Sequence, residues 1–556
     1  MMDKPMSGLG KSLAVTAVVF ALVGVGSQAL ADEPSDKKPA DERANPATTP
    51  LPAAPLEGAA AGAQAGSAPT AGQTPPGPRA GDAGIEAVKP LAGPASPSGE
   101  AAPGPQAATA GGEDAAASWF ARAPLALSVG QGDKKWTATF YGFVEADFIV
   151  DSTRSYGDSI GSSLVARSDT YAGTVGRTQF SIRNTRIGMM LESPVIGGVK
   201  PSAVIEADFS GNQPIQAGVT SEATSFASPI LRLRNAYVRL QNDYVDVLAG
   251  QSYDVFGWQN YFFPCSIEFL GLPNQVFSRN LQLRLSHTFN AAGALSVDLA
   301  ASAVRPAQQD SMVPDVNGGL RFSVNKWKGI STPGNTGTVV LPASIGVSGT
   351  LRQFKVNAFT PPPVQSSNSV MGWGLSVDAL VPVIPASSAG DRGNSLTLIG
   401  SFVTGAGIGD LITATGGAAF PTLPNPAQSN PPPLYNGDID NGIVSFDTQG
   451  VLRTIDWQAL KVGVQYYFPP SGRLILSANY TQARSSNMAK LFPKGGAEIE
   501  LLGRVASWSQ YADVNLFFDV TPAVRLGASG QYTSVEYLDG NKPHNLRAMG
   551  QALYAF

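Results

Sequence analysis

The chain ends on the stretch LRAMGQALYAF, residues 546–556. Small or apolar residues stand at every second position, and polar residues such as Arg547 and Gln551 stand between them. A two-residue period is that of an extended strand with one apolar face. The sequence therefore predicts a C-terminal strand with an apolar face formed by Leu546, Ala548, Gly550, Ala552, Tyr554 and Phe556.

The composition of the 556 residues narrows the class of protein. The net charge is -4, 14% of the residues are charged, and the mean hydropathy is -0.00. This average is too polar for a helical membrane protein, and it lacks the basic excess that nucleic-acid binding requires. The single cysteine, Cys265, excludes an intramolecular disulfide. We expect no nucleic-acid partner.

The N-terminus has the pattern of an export signal. Lys4 and Lys11 supply positive charge, residues 13–25 are apolar, and Ala29 and Ala31 offer a cleavage site. The alternative is a membrane anchor, but the apolar run is shorter than the roughly 20 residues that a spanning helix needs. We predict a signal peptide over residues 1–31.

Residues 32–118 are dominated by Ala, Pro and Gly and show no apolar periodicity. Such a segment cannot bury enough surface to offset the entropy of ordering it. We predict a disordered periplasmic linker. The alternative is an arm that contacts peptidoglycan or a partner.

Beyond residue 118, alternation recurs in segment after segment. Leu281, Leu283 and Leu285, for example, alternate with polar residues. About sixteen strands are predicted, although 318–353 can be divided otherwise and fourteen or eighteen stay open. They lie near 136–150, 177–192, 201–210, 230–240, 244–252, 280–290, 293–305, 318–325, 341–353, 370–381, 394–405, 454–468, 473–484, 505–520, 523–537 and 544–556.

The connections between these strands separate two all-β architectures. A soluble sandwich also alternates, but it does not require short and long links in turn. Here short links such as 194–199 and 241–244 follow long ones such as 151–176 and 211–229. We therefore predict that residues 119–556 form a transmembrane antiparallel β-barrel, with tight turns at one rim and large loops at the other.

Several segments resemble trimeric outer-membrane porins, in particular the DcaP-like porins. They are FYGFVEADFIVD (140–151), VKPSAVIEADF (199–209), LRLRNAYVRL (231–240), VDVLAGQSYDVF (245–256) and VTGAGIGDL (403–411). The resemblance implies a Gram-negative outer-membrane homotrimer, in contact with lipid and lipopolysaccharide, that passes small hydrophilic solutes passively. It also implies that Tyr554 and Phe556 belong to a sorting signal. Family members tend to carry an N-terminal coiled coil, whereas this chain has an Ala/Pro arm without heptads.

In porins of this topology the loop after the fifth strand folds into the lumen. The corresponding residues here, 253–279, are rich in aromatic side chains. We expect an inward constriction loop in which Asp254, Glu268 and Arg279 face water. The alternative is an outward loop that contacts lipid or lipopolysaccharide.

Selectivity would depend on charges that line the lumen. Alternation predicts a slight basic excess there, and hence a mild preference for anionic solutes. The alternative is that these arginines only pair with neighbouring acids and stiffen the wall. The predicted pore-lining residues are Arg186, Arg232, Arg234, Arg284, Arg352, Glu145, Asp147, Glu206, Asp208 and Asp298.

The sequence offers little for catalysis. His287 and His544 are its only histidines, and neither has an evident nucleophile partner. No phosphate-binding loop and no Cys/His metal spacing occur in the sequence. We predict no enzyme activity, no cofactor and no metal. The alternative to a diffusion porin is a plugged structural or adhesive barrel with partner-binding loops.

Overall fold

The computed structural model covers most of the chain from residue 125 onward. The predicted signal peptide (1–31) and the predicted linker (32–118) lie outside the described residues. The described residues are 125–556 without 162–164, 212–228, 260, 269–270, 292, 307–310, 336, 358–366, 387, 389–391, 414, 416–441, 447–450 and 492–504.

Eighteen strands form one antiparallel sheet that closes on itself. They are β1 (Leu125–Val129), β2 (Trp136–Asp151), β3 (Arg177–Ser181), β4 (Arg186–Glu192), β5 (Lys200–Asp208), β6 (Arg232–Gln241), β7 (Asp246–Tyr253), β8 (Arg279–Ala291), β9 (Leu295–Val304), β10 (Asp315–Ser331), β11 (Val339–Asn357), β12 (Ser367–Ile384), β13 (Ser395–Ala406), β16 (Asp456–Tyr467), β17 (Leu474–Ser485), β18 (Ala506–Asp519), β19 (Val524–Tyr537) and β20 (His544–Ala555). A separate hairpin comprises β14 (Val444–Phe446) and β15 (Leu452–Thr454).

The barrel has sixteen transmembrane strands, because four of the eighteen share two positions. β3 and β4 both pair with β2 and are two halves of one strand, where the sequence predicted an unbroken strand over 177–192. β1 pairs with the first half of β2 and lies in line with β20. The predicted number of about sixteen is confirmed, and β10 and β11 resolve the division of 318–353.

The two faces of the sheet differ in chemistry as the alternation predicted. Outward side chains are exposed apolar groups, such as Leu281, Leu283 and Leu285, whereas the side chains between them, Gln282 and Arg284, are buried. An apolar outer surface with a polar interior is the inverse of a soluble core and matches a barrel in a bilayer. Tyr554 and Phe556 also lie on the outer face.

Links at the two rims differ in length. One rim carries the short links 193–199, 242–245, 292–294, 468–473 and 520–523, whereas the other carries the long links, among them 152–176, 209–231, 254–278, 407–455 and 486–505. In the part of the chain that the structure describes, the helices are α1 (Tyr171–Thr174), α2 (Met488–Leu491) and single 3₁₀ turns at Gly132–Lys134 and Gly409–Leu411. Within the described ranges, no helix has the length and apolarity needed to cross a membrane.

The barrel closes at the seam between β2 and β20. The backbone of Phe556 exchanges hydrogen bonds of 3.2 and 3.0 Å with Gly142. Inside the lumen, Arg547 lies directly opposite Asp151 and donates to both of its carboxylate oxygens, at 2.8 and 2.9 Å. Both side chains are fully buried. β2 and β20 are thus joined by main-chain bonds and by a charged pair.

Breaking this buried pair should destabilise the barrel. Asp151→Asn leaves the Arg547 guanidinium without its full counter-charge, and loss of one partner of a buried pair costs about 3–5 kcal/mol. Unfolding in detergent should show this loss. Glu192→Gln, which breaks the exposed pair of Glu192 with Lys200 (2.7 Å), should cost less than about 1 kcal/mol. Equal losses in the two variants would contradict this account of the seam.

Candidate constriction of the barrel lumen

The long link after β7 lies inside the barrel. We call residues 254–278 the inner loop. Its apolar side chains are almost inaccessible: Phe256, Trp258, Phe262 and Cys265 are at most 1% exposed. Because the barrel wall presents polar groups to the lumen, these apolar side chains need a specific place on that wall. The structure provides one on β10, β11 and β12.

Three glycines on adjacent strands make room for the aromatic side chains of the inner loop. A Cβ on Gly319 or Gly346 would lie 2.8 Å from the Trp258 ring, and a Cβ on Gly374 would lie 2.8 Å from the Phe256 ring. All three separations are below a normal van der Waals contact. The aromatic rings therefore lie directly on the backbone of the wall, as the packing of closely fitted interiors requires.

Polar groups on β16 and β17, further along the sheet from β12, hold the backbone of the inner loop. Lys461 donates to the carbonyl of Phe262 at 2.8 Å. Ser477 and Asn479 both donate to the carbonyl of Cys265, each at 2.8 Å. The inner loop therefore spans the lumen, with its rings on β10–β12 and its carbonyls bonded to β16 and β17.

A link from the other rim also enters the lumen and meets the inner loop. Gly334, in the link 332–338, donates its amide to the carbonyl of Pro264 and accepts from the amide of Ser266, both at 2.9 Å. The sequence left the division of 318–353 open and did not single out this link. Ser331 and Thr332, at the start of this link, are 1% or less exposed, but local periodicity does not show which turns fold inward.

A basic cluster lies on the wall formed by β4–β8. Arg232 pairs with Asp208 at 2.6 Å, and Arg234 pairs with Glu206 at 2.8 Å and with Asp208 at 2.7 Å. The predicted alternative, pairing of arginines with lumen acids, therefore describes Arg232 and Arg234. Arg186 is less tightly held, with its Nε 3.9 Å from Glu206.

The other predicted arginines occupy different surroundings. Arg279 lies over the rings of Tyr253 and Phe277, at 5.6 and 5.7 Å from their centroids. Arg284 is buried in the wall at β8. Arg352 pairs with Asp315 at 2.8 Å and with Asp410 at 2.5 Å.

Asp298 pairs with an arginine that the sequence analysis did not select. Arg321 lies directly opposite Asp298 on the next strand and binds it at 2.5 Å. Its guanidinium also lies 3.0 Å from the ring centroid of Tyr261, in the inner loop. Alternation along β10 places Arg321 inward, so the register of the β9–β10 hairpin would have identified it.

A group of carboxylates lies next to the basic cluster, on β2, which pairs with β4, and on the inner loop. Glu145 accepts from Asn184 at 2.7 Å, and Asp147 is 2% exposed. Glu268 accepts from Ser159 at 2.5 Å and lies 3.8 Å from Arg547. Burial raises the pKa of Glu268, and the neighbouring Arg547 opposes that shift.

A cavity remains between the inner loop and the basic wall. Arg186, Arg234 and Tyr253 line it from the wall, while Phe263 and Glu268 line it from the inner loop. Its walls therefore combine charges of both signs with aromatic surface. This is the candidate path for a solute.

Comparison with solved structures identifies the architecture. DcaP, an outer-membrane channel of Acinetobacter baumannii, aligns over 76% of this chain and 97% of its own, with a TM-score of 0.52 and 17% identity. The chain has the porin fold. An anion-selective porin from Comamonas acidovorans (9% identity, TM-score 0.41, 76% of this chain and 100% of its own) and OmpF of Salmonella typhi (11%, 0.42, 77% and 100%) are more distant. The chain matches no protein-family model and no curated protein.

The histidines of this porin-fold barrel lie away from the lumen charges. His287 packs edge-on against Phe289, with ring centroids 4.3 Å apart, and shares the outward parity of Leu285. His544 stacks on Tyr532 at 6.0 Å. Where the structure describes side chains, no group of three or more His, Cys, Asp or Glu residues is arranged to hold a metal ion.

A side chain on Gly319 should displace the inner loop. Gly319→Leu places atoms where Trp258 lies, and such overpacking costs about 1–3 kcal/mol. Chymotrypsin should then cut within 254–278 in folded Gly319→Leu protein. Gly318→Leu is the matched control, because a Cβ on Gly318 meets nothing within 4 Å. Equal resistance of both variants would refute the glycine contact as the anchor.

Asp254, at the start of the inner loop, should make stability depend on pH. Burial raises its pKa to about 6, although Ser278 and Asn280 donate to it at 2.6 and 2.7 Å. An unfolded Asp titrates near 4. Between about pH 4 and 6 the folded state therefore keeps a proton that the unfolded state has lost. The contribution of Asp254 to the free energy of unfolding therefore falls as pH rises.

Thermal unfolding of wild type and Asp254→Asn at pH 4–7 measures this effect. The stability of the wild type relative to the variant should fall by about 2–3 kcal/mol over the window and stay level above it. Asp243→Asn, in the exposed β6–β7 link, should keep the wild-type profile. Parallel profiles for wild type and Asp254→Asn would contradict the prediction.

Proposed function

We propose that the protein is an outer-membrane porin that passes small hydrophilic solutes by passive diffusion. The observation that carries the proposal is the closed sixteen-strand barrel, apolar outside and charged inside, with a cavity left beside the inner loop. A wall of this kind replaces bulk water with fixed charges and polar groups, which is what selective diffusion requires. The fold likeness to DcaP agrees with this function.

A mild preference for anions is part of the proposal. Among the described residues of β4–β8, Arg186, Arg232, Arg234 and Arg279 outnumber Glu206 and Asp208, with which they pair, and Glu145 lies on the adjacent strand β2 within electrostatic reach of Arg186. Tight pairs contribute little net field, so the excess comes mainly from Arg186 and Arg279. Those two arginines are the proposed source of selectivity.

Location and assembly follow from the same proposal. An apolar outer surface calls for outer-membrane lipid and lipopolysaccharide around the barrel, with export through the signal peptide at 1–31. A homotrimer is expected from the resemblance to trimeric porins. Contact of the 32–118 segment with peptidoglycan is the alternative role for that segment.

The second candidate is a plugged structural or adhesive barrel. The inner loop favours it, because it leaves the wall at the end of β7, lies inside the lumen and contacts β10–β12, β16 and the link 332–338. Conductance separates the two candidates. Refolded protein in a planar bilayer should give stepwise ohmic currents if it is a porin, and silence would favour the plugged barrel.

Reversal potentials under a KCl gradient should test the anion preference. Wild type should favour chloride modestly, and Arg186→Gln and Arg279→Gln should each shift the potential toward potassium. Arg305→Gln, which changes an exposed arginine beyond the end of β9, is the control and should leave it unchanged. A clear potassium preference of the wild type would refute the anionic part of the proposal while leaving the channel intact.

A further inference from the structure

The cavity beside the inner loop is lined by polar groups that lack protein partners. Among the described residues, Asn184 Oδ1, Glu268 Oε2 and Asn335 Nδ2 are buried without a hydrogen bond, and so are both amide atoms of Gln275. All four side chains line this cavity and are 4% exposed or less. Buried polar atoms normally have partners, because leaving one unsatisfied costs about 1–3 kcal/mol. A cavity with so many is built for a polar occupant.

The charged groups of the cavity have opposite signs. The positive one comes from the barrel wall, and the negative one comes from the inner loop. Arg186 lies on the wall at β4, and its Nε has no hydrogen-bond partner in the described chain. Glu268 lies on the inner loop, where Ser159 occupies one carboxylate oxygen and Arg547 is 3.8 Å from the other. A guanidinium binds a carboxylate through charge-assisted hydrogen bonds, and a carboxylate binds an ammonium in the same way.

Apolar surface completes the lining. Phe263 and Phe277 pack edge to face at 5.6 Å, and Tyr253 packs against both, at 5.5 and 5.8 Å. All three line the cavity. A solute that matches every wall needs a carboxylate, an ammonium and an apolar part.

We propose that this cavity binds small zwitterions that carry an apolar side chain, namely free amino acids or short peptides, as they pass through the barrel. This inference rests on the proposed channel function. Arg186 receives the carboxylate, Glu268 receives the ammonium, and the amides of Gln275 and Asn335 bond the remaining polar atoms. The aromatic group of Tyr253, Phe263 and Phe277 contacts the side chain.

Three ligands of nearly equal shape test the proposal. L-phenylalanine carries both charges, 3-phenylpropionate lacks the ammonium, and 2-phenylethylamine lacks the carboxylate. In planar bilayers holding the full mature chain at pH 7.5, we expect L-phenylalanine to block the ion current with a Kd about tenfold lower than either analogue, the effect of one charge-assisted hydrogen bond. Glycyl-phenylalanine shows whether a peptide binds as well as the free amino acid.

Two variants assign the two charges. Glu268→Gln should abolish the advantage of L-phenylalanine over 3-phenylpropionate, and Arg186→Gln should abolish its advantage over 2-phenylethylamine. Asp378→Asn changes a lumen carboxylate that is bonded to Ser376 and Ser401 and does not line the cavity. It should leave the ligand ranking unchanged. Resistance of the folded barrel to unfolding in detergent at room temperature confirms that each variant is folded.

Equal block by all three ligands in ohmic channels would overturn the zwitterion site and leave the porin function standing. Calorimetric titration of the same ligands into the detergent-solubilised barrel measures binding without conductance. Silent bilayers with a preserved calorimetric ranking would refute the channel but support the site. Silent bilayers with equal or absent binding would refute both.

Discussion

The structure depends on one constraint: every backbone amide in hydrocarbon must have a hydrogen-bond partner. A sheet meets this condition only by closing, which requires the last strand, β20, to pair with β2. The mutual bonds of Phe556 and Gly142 complete the seam. Once the sheet is closed, each strand has one face in lipid and one in the lumen, and the two-residue period of the sequence follows directly.

Closure also reverses the usual arrangement of a folded protein, in which apolar residues lie inside and polar residues outside. The lipid removes the need for an apolar core, so the interior can be polar, but an inward loop then has no apolar surface to rest on. Here the inner loop carries aromatic side chains. Because Gly319, Gly346 and Gly374 have no side chains, these rings contact the backbone of the wall. Backbone carbonyls of the loop, unpaired by any sheet, are satisfied by Lys461, Ser477 and Asn479. The inner loop is therefore held by apolar contacts with β10–β12 and by polar contacts with β16 and β17.

Local periodicity explains how far the sequence could predict this molecule. Strand number, face assignment and the alternation of link lengths are properties of neighbouring residues, and the structure agrees with them. The break between β3 and β4, the inward turn at Gly334 and the role of Arg321 depend on contacts between residues far apart in the chain. Such contacts are set by barrel closure and strand register, which a single strand does not encode.

Register also explains why few lumen charges can act on a solute. Asp208 lies directly opposite Arg232, Asp298 opposite Arg321, and Asp519 opposite Arg525, and each pair is an ion pair. Cross-strand pairs of this kind stiffen the wall and cancel much of each other's field. Arg186 also lies directly opposite Asp208, but it competes there with Arg232 and Arg234 and approaches only Glu206, at 3.9 Å, whereas Glu268 lies on a loop outside any ladder. The proposed selectivity therefore depends on the charges that lack a close ion-pair partner rather than on the total number of charges in the lumen.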